Sequence, residues 1–465
     1  HNTIEFLKDV LSEVIDLFPS EYIHIGGDEA PKERWKRCKK CQAVLRENGL
    51  KDEHELQSWF VQQMDDYLTQ HGRKLIGWDE ILEGGLSSNA AVMSWRGFEG
   101  GIEAASQGHY VVMSPGSHCY FDHYQSKHPN EPLAIGGFTS LEKVYSFDPV
   151  APEMTPDQAA FVLGGHANVW TEYIPTFQQV EYMVYPRALA LAQALWCQKK
   201  PIYSVFKETL IKHHLPFLKK LNVNYSEALF YPEMTLERSE EGVKVAFVAE
   251  NSEDLSVSVA DVNNGLASSV KEFELKRTTN NSVNPTIFNV QNKMAEKTSV
   301  YTVFEHPALG LSIEYITLPS KSYNSGGDLT LVDGVIGASP WRGNEWVGFK
   351  EKEIEFIVDL GQKKKMESIE LNFLTDEGSW IYQPNEVRFE ISNTKKKWKS
   401  LPKATAFLGS KKMNAGRYLL LGANIEKKGR YLKVKILPFE QIPEGKPGAG
   451  NVPWTFMDEL MIFYK

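Results

Sequence analysis

The chain has 465 residues, 42% hydrophobic and 24% charged, a balance that excludes a disordered polymer and suits two or three globular domains. A formal net charge of −9 supplies no broad basic face, so no nucleic-acid partner is expected. No apolar run approaches the ~20 residues of a membrane span, and the Lys runs at 363–365 and 395–397 read as solvated turns.

The first predicted element is a helix. Asn2 can cap it with Glu5 three residues on, and Ile4, Leu7, Leu11, Val14, Ile15 and Phe18 form one apolar stripe. A chain that opens with His1, inside a packed element, is expected to continue upstream. Strands are predicted at Tyr22–Gly27, Lys74–Trp78, Ala91–Trp95, Tyr110–Ser114 and Phe161–Trp170. Helical stretches lie near 52–71, 98–107, 177–198 and 203–220. Alternation of apolar strands with amphipathic helices argues an α/β fold with a parallel sheet.

Each strand ends in a polar and aromatic cluster: GGDEAP, GWDE, SWRG, SPGSHCYFDHY and GHANVWTE. Such clusters at the carboxyl ends of successive parallel strands are how a (β/α)8 TIM-type barrel builds its site. A doubly wound sheet would also place its site there, but no Gly-rich phosphate fingerprint follows any strand. Five βα units are visible where a closed barrel has eight, so the expectation is a partial barrel lacking its first three strands.

Beyond 226 the helical periodicity gives way to short strands (VKVAFVAEN, LSVSVADV, TSVYTVFEH, LSIEYITL) with Asn/Ser-rich turns. A joint at 320–328, SKSYNSGGD, leads to EIEFIVDLG, ESIELNFL, EVRFEIS, RYLKVKIL and ELMIFYK, which suggest a β-sandwich. The expected domains are therefore a partial barrel at 1–225, a small β-rich linking domain at 226–320 and a sandwich at 321–465.

Four cysteines do not make a disulfide framework. Cys38 and Cys41 form a lone CxxC; zinc would need two more ligands, and a local disulfide or two free thiols stay open as alternatives. His118, Cys119, Asp122 and His123 fit no standard metal spacing. No metal site is assigned.

Asp28 and Glu29 follow Gly26–Gly27 at the mouth of the first strand. Neighbouring side chains on an extended backbone point apart, so the two carboxyls would serve different roles. Such a pair suits glycoside hydrolysis, which needs an acid for the leaving oxygen and a second group for the developing positive charge. A DE dipeptide is also, commonly, just a solvated pair.

The run HIGGDE at 24–29 resembles the signature of family 20 glycoside hydrolases, the β-N-acetylhexosaminidases. GWDE at 77–80, SWRG at 94–97, Tyr120 with Asp122, and NVWTE at 168–172 match the same family in order. The resemblance covers roughly residues 1–225. It implies a retaining exo-hydrolase in which the substrate's own 2-acetamido oxygen attacks the anomeric carbon through an oxazolinium intermediate. By the same resemblance Glu29 is the general acid and then base, Asp28 orients the acetamido N–H, and Tyr120 hydrogen-bonds the acetamido oxygen. Trp78, Trp95 and Trp170 are the walls around the N-acetyl methyl group, and Asp122 and Glu172 bind sugar hydroxyls. His24 is expected to pack within its strand, and Trp35, Trp59 and Trp196 to be core residues. His166 stands where the family often has Gln, and the sugar-binding Arg and His-containing loop of the first barrel half have no counterpart in this sequence.

The region 328–465 resembles a discoidin-type (coagulation factor 5/8 C-terminal) sandwich through LVDG at 331–334, WRGNEWVGF at 341–349, IVDLG at 357–361 and the closing ELMIFY strand. That resemblance implies sugar binding through loop aromatics and, in some members, a structural calcium. Trp341, Trp346 and Trp380 are candidates, with core packing the competing role for each. The expected partner is a glycan with terminal N-acetylhexosamine, with no cofactor for the chemistry. The substrate class implies a secreted, periplasmic or cell-surface location. The alternative function is a non-catalytic carbohydrate-binding protein with a vestigial barrel; oligomeric state and the choice between GlcNAc and GalNAc are not legible.

Overall fold

In a computed structural model the described residues are 2–128, 131–249, 255–261, 272–279, 281–295, 297–324, 326–337, 341, 345–401, 417–422 and 427–465. They form two compact units, one of residues 1–126 and 132–226, the other of 127–131 and 227–465.

The first unit holds a five-stranded parallel sheet of β1 (Tyr22–His24), β2 (Lys74–Trp78), β3 (Ala91–Ser94), β4 (Val111–Met113) and β5 (Val162–Gly165), in that spatial order. Its ladders pair His24 with Ile76, Trp78 with Met93, Ser94 with Met113, and Met113 with Gly165. The carboxyl ends of all five strands are therefore aligned. The strands form because most of their residues are apolar, and β2 and β3 are almost wholly buried.

All five predicted strands exist; β2 has its predicted bounds and the other four are shorter than expected, β1 and β5 most of all. β1 stops at His24 because Gly26 (φ 75°) and Gly27 (φ 95°) leave the extended region. β5 stops at Gly165, and the rest of the predicted Phe161–Trp170 strand is a loop joined to its neighbour by a single parallel bridge, Tyr120 to Asn168.

Helices Asn2–Leu17, Glu53–Gln70 and Glu99–Ser106 stand where the periodicity puts them. Asp52 caps the second, its side chain accepting the backbone N–H groups of His54 and Glu55 at 2.9 and 3.0 Å. Between β2 and β3 there is only a 3-10 turn, Asp79–Leu82, so the alternation is not strict. The stretch 177–198 is two helices, Phe177–Val184 and Arg187–Trp196, because Pro186 cannot donate a helical hydrogen bond. The stretch 203–220 is helical throughout but widens to a π-turn at Leu210–His214. Trp196, expected in the core, is 89% exposed, a finding that corrects the expectation.

The second unit is built from antiparallel strands: β6 (Glu233–Arg238), β7 (Gly242–Val248), β8 (Leu255–Asp261), β9 (Glu272–Lys276), β10 (Asn284–Asn292), β11 (Ser299–Glu305), β12 (Ser312–Tyr315), β13 (Val347–Phe349), β14 (Ile354–Leu374), β15 (Glu386–Ser392), β16 (Lys399–Ser400), β17 (Arg417–Gly422), β18 (Lys428–Leu437) and β19 (Thr455–Tyr464). Two three-stranded sheets have the orders β6-β7-β9 and β11-β10-β8. A larger sheet runs β13-β19-β14-β18-β15-β16, with β12 and β17 also paired to β14. Alternation drives this assembly: along β10, Thr286, Phe288, Val290 and Asn292 face inward. Phe288 and Val290 join one apolar core that includes Val243, Leu331, Phe356 and Ile462.

The Lys run at 363–365 lies within β14, where the pairing with β18 shifts register between Asp359 and Lys364, and not in a turn as expected; 395–397 is a bend. Of the sandwich motifs, Leu331 to Gly334 are buried, whereas Arg342 to Asn344 lie outside the described residues. Trp346 is core and Trp341 packs edge-on against Tyr323 and Phe456. Trp380 alone of the three candidates is exposed, at 36%.

Candidate active site

The site grows from the aligned strand ends. After β1 the chain turns through Gly26 and Gly27, and a Cβ on Gly27 would fall 2.6 Å from Ile81 Cγ2, so glycine is required there twice over. Asp28 and Glu29 follow, both exposed, and Glu29 itself sits at φ 45°, a left-handed conformation that costs a non-glycine residue roughly 1–2 kcal/mol. Strain at a carboxyl bearing a proposed chemical role is the pattern expected of a site that the surrounding fold over-determines.

Trp78, last residue of β2, is buried and meets His24 edge to face at 4.8 Å and Trp170 at 6.2 Å. Trp95, just past β3, stacks near Tyr120 with ring centroids 6.2 Å apart and planes 29° apart. The Trp170 indole faces the Tyr120 phenol closely enough to lower its pKa against the effect of burial. Three indoles and a phenol thus share one aromatic enclosure. Burial is the main force raising the Tyr120 phenol above its ordinary pKa, and the anionic neighbours Asp122, Asp79 and Asp28 add to it. The hydroxyl is held neutral and able to donate, with Asp28 close enough to act on it.

Asp122 is 4% exposed and its carboxyl is raised to about 6, first by burial, with Glu172 raising it further and Arg187 opposing. Its Oδ1 is buried without a hydrogen-bond partner, an acceptor left open at the site. Glu172 is exposed beside it. His24, exposed as a residue but packed against Trp78, accepts the Gly26 N–H at Nδ1 (3.1 Å). Desolvation holds it below the ordinary imidazole value, with Asp28 pulling it up and His166 pushing it down. The structure brings Asp28, Trp78, Trp95, Tyr120, Asp122, Trp170 and Glu172 into one neighbourhood; Glu29 adjoins them along the chain.

Sequence reasoning passed over the residues that hold this set in place. Arg187, wholly buried, donates to the carbonyls of His123 (3.1 Å), Thr139 (3.0 Å), Phe121 and Met183, pinning the segment that carries Tyr120 and Asp122. Its signal was a lone charge in the apolar run YPRALALAQALW. Asn168 donates to Ser114 Oγ (2.9 Å), which in turn donates to the His166 carbonyl, fastening the loop after β5 to that after β4. Glu80 accepts from the Trp95 indole at 2.9 Å, and Arg96 binds Asp79 at 2.9 Å. Burial raises Asp79 to about 6, with Arg96 acting against it. Asp79 also borders a cavity of about 260 Å3 lined by Glu83, Arg96, Glu99 and Glu103, which otherwise shares no residue with the aromatic enclosure.

Cys38 and Cys41 are free thiols, Cys38 capping helix Lys39–Glu47 by accepting the Cys41 N–H at 3.4 Å. Among the described residues no group of three or more His, Cys, Asp or Glu side chains is arranged to hold a metal ion. The buried carboxylates of the second unit turn instead to N–H donors: Asp458 accepts from Gly337 and Asn372, and Glu459 from Gly334. No helix among the described residues is long and apolar enough to cross a membrane.

Residues 1–199 match the catalytic domain of glycosyl hydrolase family 20. Over 196 residues the chain is 54% identical to a beta-hexosaminidase of Porphyromonas gingivalis, covering 42% of this chain and 25% of that one. It is 37% identical over 194 residues to a beta-hexosaminidase of Vibrio furnissii, covering 41% of this chain and 32% of that one. A solved exo beta-N-acetylglucosaminidase from Vibrio harveyi aligns with 48% of this chain and 36% of its own at 34% identity, with a TM-score of 0.45. The chain thus spans between a quarter and about a third of the length of these relatives.

Proposed function

We propose that the protein is a retaining exo-β-N-acetylhexosaminidase that removes terminal β-linked GlcNAc or GalNAc from glycans without a cofactor. The observation that carries this reading is the aromatic enclosure with Tyr120, acted on by Asp28, standing beside the Asp28–Glu29 turn. The family 20 match over the same residues supports it. A five-stranded parallel sheet fits an arc of a (β/α)8 barrel, with the site at its carboxyl end.

In this reading the enclosure folds the acetamido arm under the anomeric carbon, where proximity supplies much of the rate. The Tyr120 hydroxyl donates to the acetamido oxygen, and Asp28 accepts the acetamido N–H and balances its growing positive charge. The oxygen bonds to the anomeric carbon as the glycosidic bond breaks, and Glu29 gives its proton to the leaving oxygen. Glu29 then takes a proton from water, which opens the ring intermediate from the other face and leaves the β configuration. The open Asp122 Oδ1 and the neighbouring Glu172 accept sugar hydroxyls. The antiparallel second unit, with Trp380 exposed, reads as a discoidin-like carbohydrate-binding sandwich. Such substrates lie outside the cytoplasm, and the protein is assigned there.

The test compares release of an aryl alcohol from a 2-acetamido-2-deoxy-β-glucoside and from the matching 2-hydroxy glucoside. Cleavage of the first alone, reduced at least ~100-fold by Glu29→Gln, is expected. Equal cleavage of both substrates would remove the acetamido nucleophile. Silence of both, in this chain and in a longer chain carrying the remaining barrel strands, would favour carbohydrate binding without catalysis.

A further inference from the structure

The loop after β2 contributes more than Trp78. Glu80 is 7% exposed, and its Oε2 accepts the Trp95 indole N–H at 2.9 Å. Arg96 Nε lies 3.9 Å from the same oxygen and 2.9 Å from Asp79 Oδ1, while its Nη1 reaches Glu83 at 3.1 Å. The Glu80 backbone is fixed as well. Gln57, buried on helix Glu53–Gln70, donates its amide to the carbonyls of Glu80 (3.2 Å) and Gly27 (3.3 Å) and accepts from Lys32 Nζ at 2.5 Å. One buried amide therefore ties the turn that carries Asp28 and Glu29 to the residue that holds Trp95.

An indole has a single polar handle, and a buried charged acceptor on that handle fixes rotation of the ring about its side-chain bonds. The plane of Trp95, which stacks near Tyr120, is thereby set from outside the enclosure. We propose that Glu80, braced by Arg96 and Gln57, is a positioning residue that fixes the Trp95 wall and so sets the size of N-acyl group the site accepts. This rests on the hexosaminidase reading. Glu80 touches no substrate atom in it; it acts only through the ring.

A rigid pocket discriminates one added methylene by roughly 10- to 200-fold in kcat/KM. The experiment measures kcat/KM for aryl glycosides bearing N-acetyl and N-propionyl groups in the parent, Glu80→Ala, Glu80→Gln, Trp95→Phe and the Glu80→Ala/Trp95→Phe double variant. Glu80→Ala is expected to lower the acetyl-over-propionyl ratio by about tenfold. Glu80→Gln, which keeps a carbonyl for the indole N–H, restores most of the ratio. In the Trp95→Phe background Glu80→Ala changes the ratio no further. Proportional loss on both substrates in Glu80→Ala, or a ratio change that survives without the Trp95 N–H, would overturn the proposal. If neither this chain nor the longer chain cleaves either substrate the hydrolase reading falls, and the Trp95 indole proton decides the rest. Protection from exchange lost in Glu80→Ala supports the positioning of Trp95, and unchanged protection refutes it.

Discussion

Asp122 shows how a single residue trades stability for an open acceptor. Its carboxyl, at 3.8 when unfolded, is raised to about 6 in the fold, so the folded state holds a proton that the unfolded chain has already released. The contribution is complete below about pH 4 and is lost as pH rises through 6. Asp79, raised in the same direction, adds to that slope. A gap of this size is on the order of 3 kcal/mol. Asp122→Asn should therefore flatten the decline of stability between pH 4 and 7, read from urea midpoints, and be the more stable protein at pH 7. Parallel slopes in the two proteins would sink this account. Asp122 was legible in the sequence as a motif residue, but its open Oδ1 was not, because an unmet acceptor depends on where donors across the fold have gone.

At the scale of elements, the segment from Tyr120 to Tyr124 has little regular structure of its own and is held by Arg187. Removing that guanidinium leaves several buried carbonyls without a donor. Arg187→Met should cost about 3 kcal/mol or more, lowering the melting temperature by roughly 6–12 °C for a unit of this size. It should also weaken any sugar contact made through Asp122. A melting temperature within a degree of the parent would show that water replaces the donor.

The strands and most helices were legible because period-2 and period-3.6 patterns are local. The break at Pro186 was a legible signal that the apolar stripe on either side outweighed. The brace of Glu80 on Trp95 and the reach of Arg187 to Phe121 join residues 15 and 66 apart, and pairing of that kind leaves no periodic trace in a single sequence.

Across the whole molecule, the parallel sheet of the first unit ends at β1 and β5, each paired on one side among the described residues. Leu17 is 73% exposed, Phe177 72% and Trp196 89%. Unpaired strand edges and large exposed apolar side chains both favour association. The 465-residue chain should therefore self-associate, with an apparent mass by light scattering that rises with concentration. A monomer at every concentration would mean that these edges are protected in solution.

The left-handed Glu29 bears on how such a protein changes over generations. Glycine at that position would relieve the backbone by about 1 kcal/mol while abolishing the carboxyl. Variants chosen only for yield or heat tolerance would drift toward Glu29→Gly and look like improvements. Retention of an acid there in a lineage is thus a record that selection was reading turnover, and its replacement by glycine would date the moment at which that reading stopped.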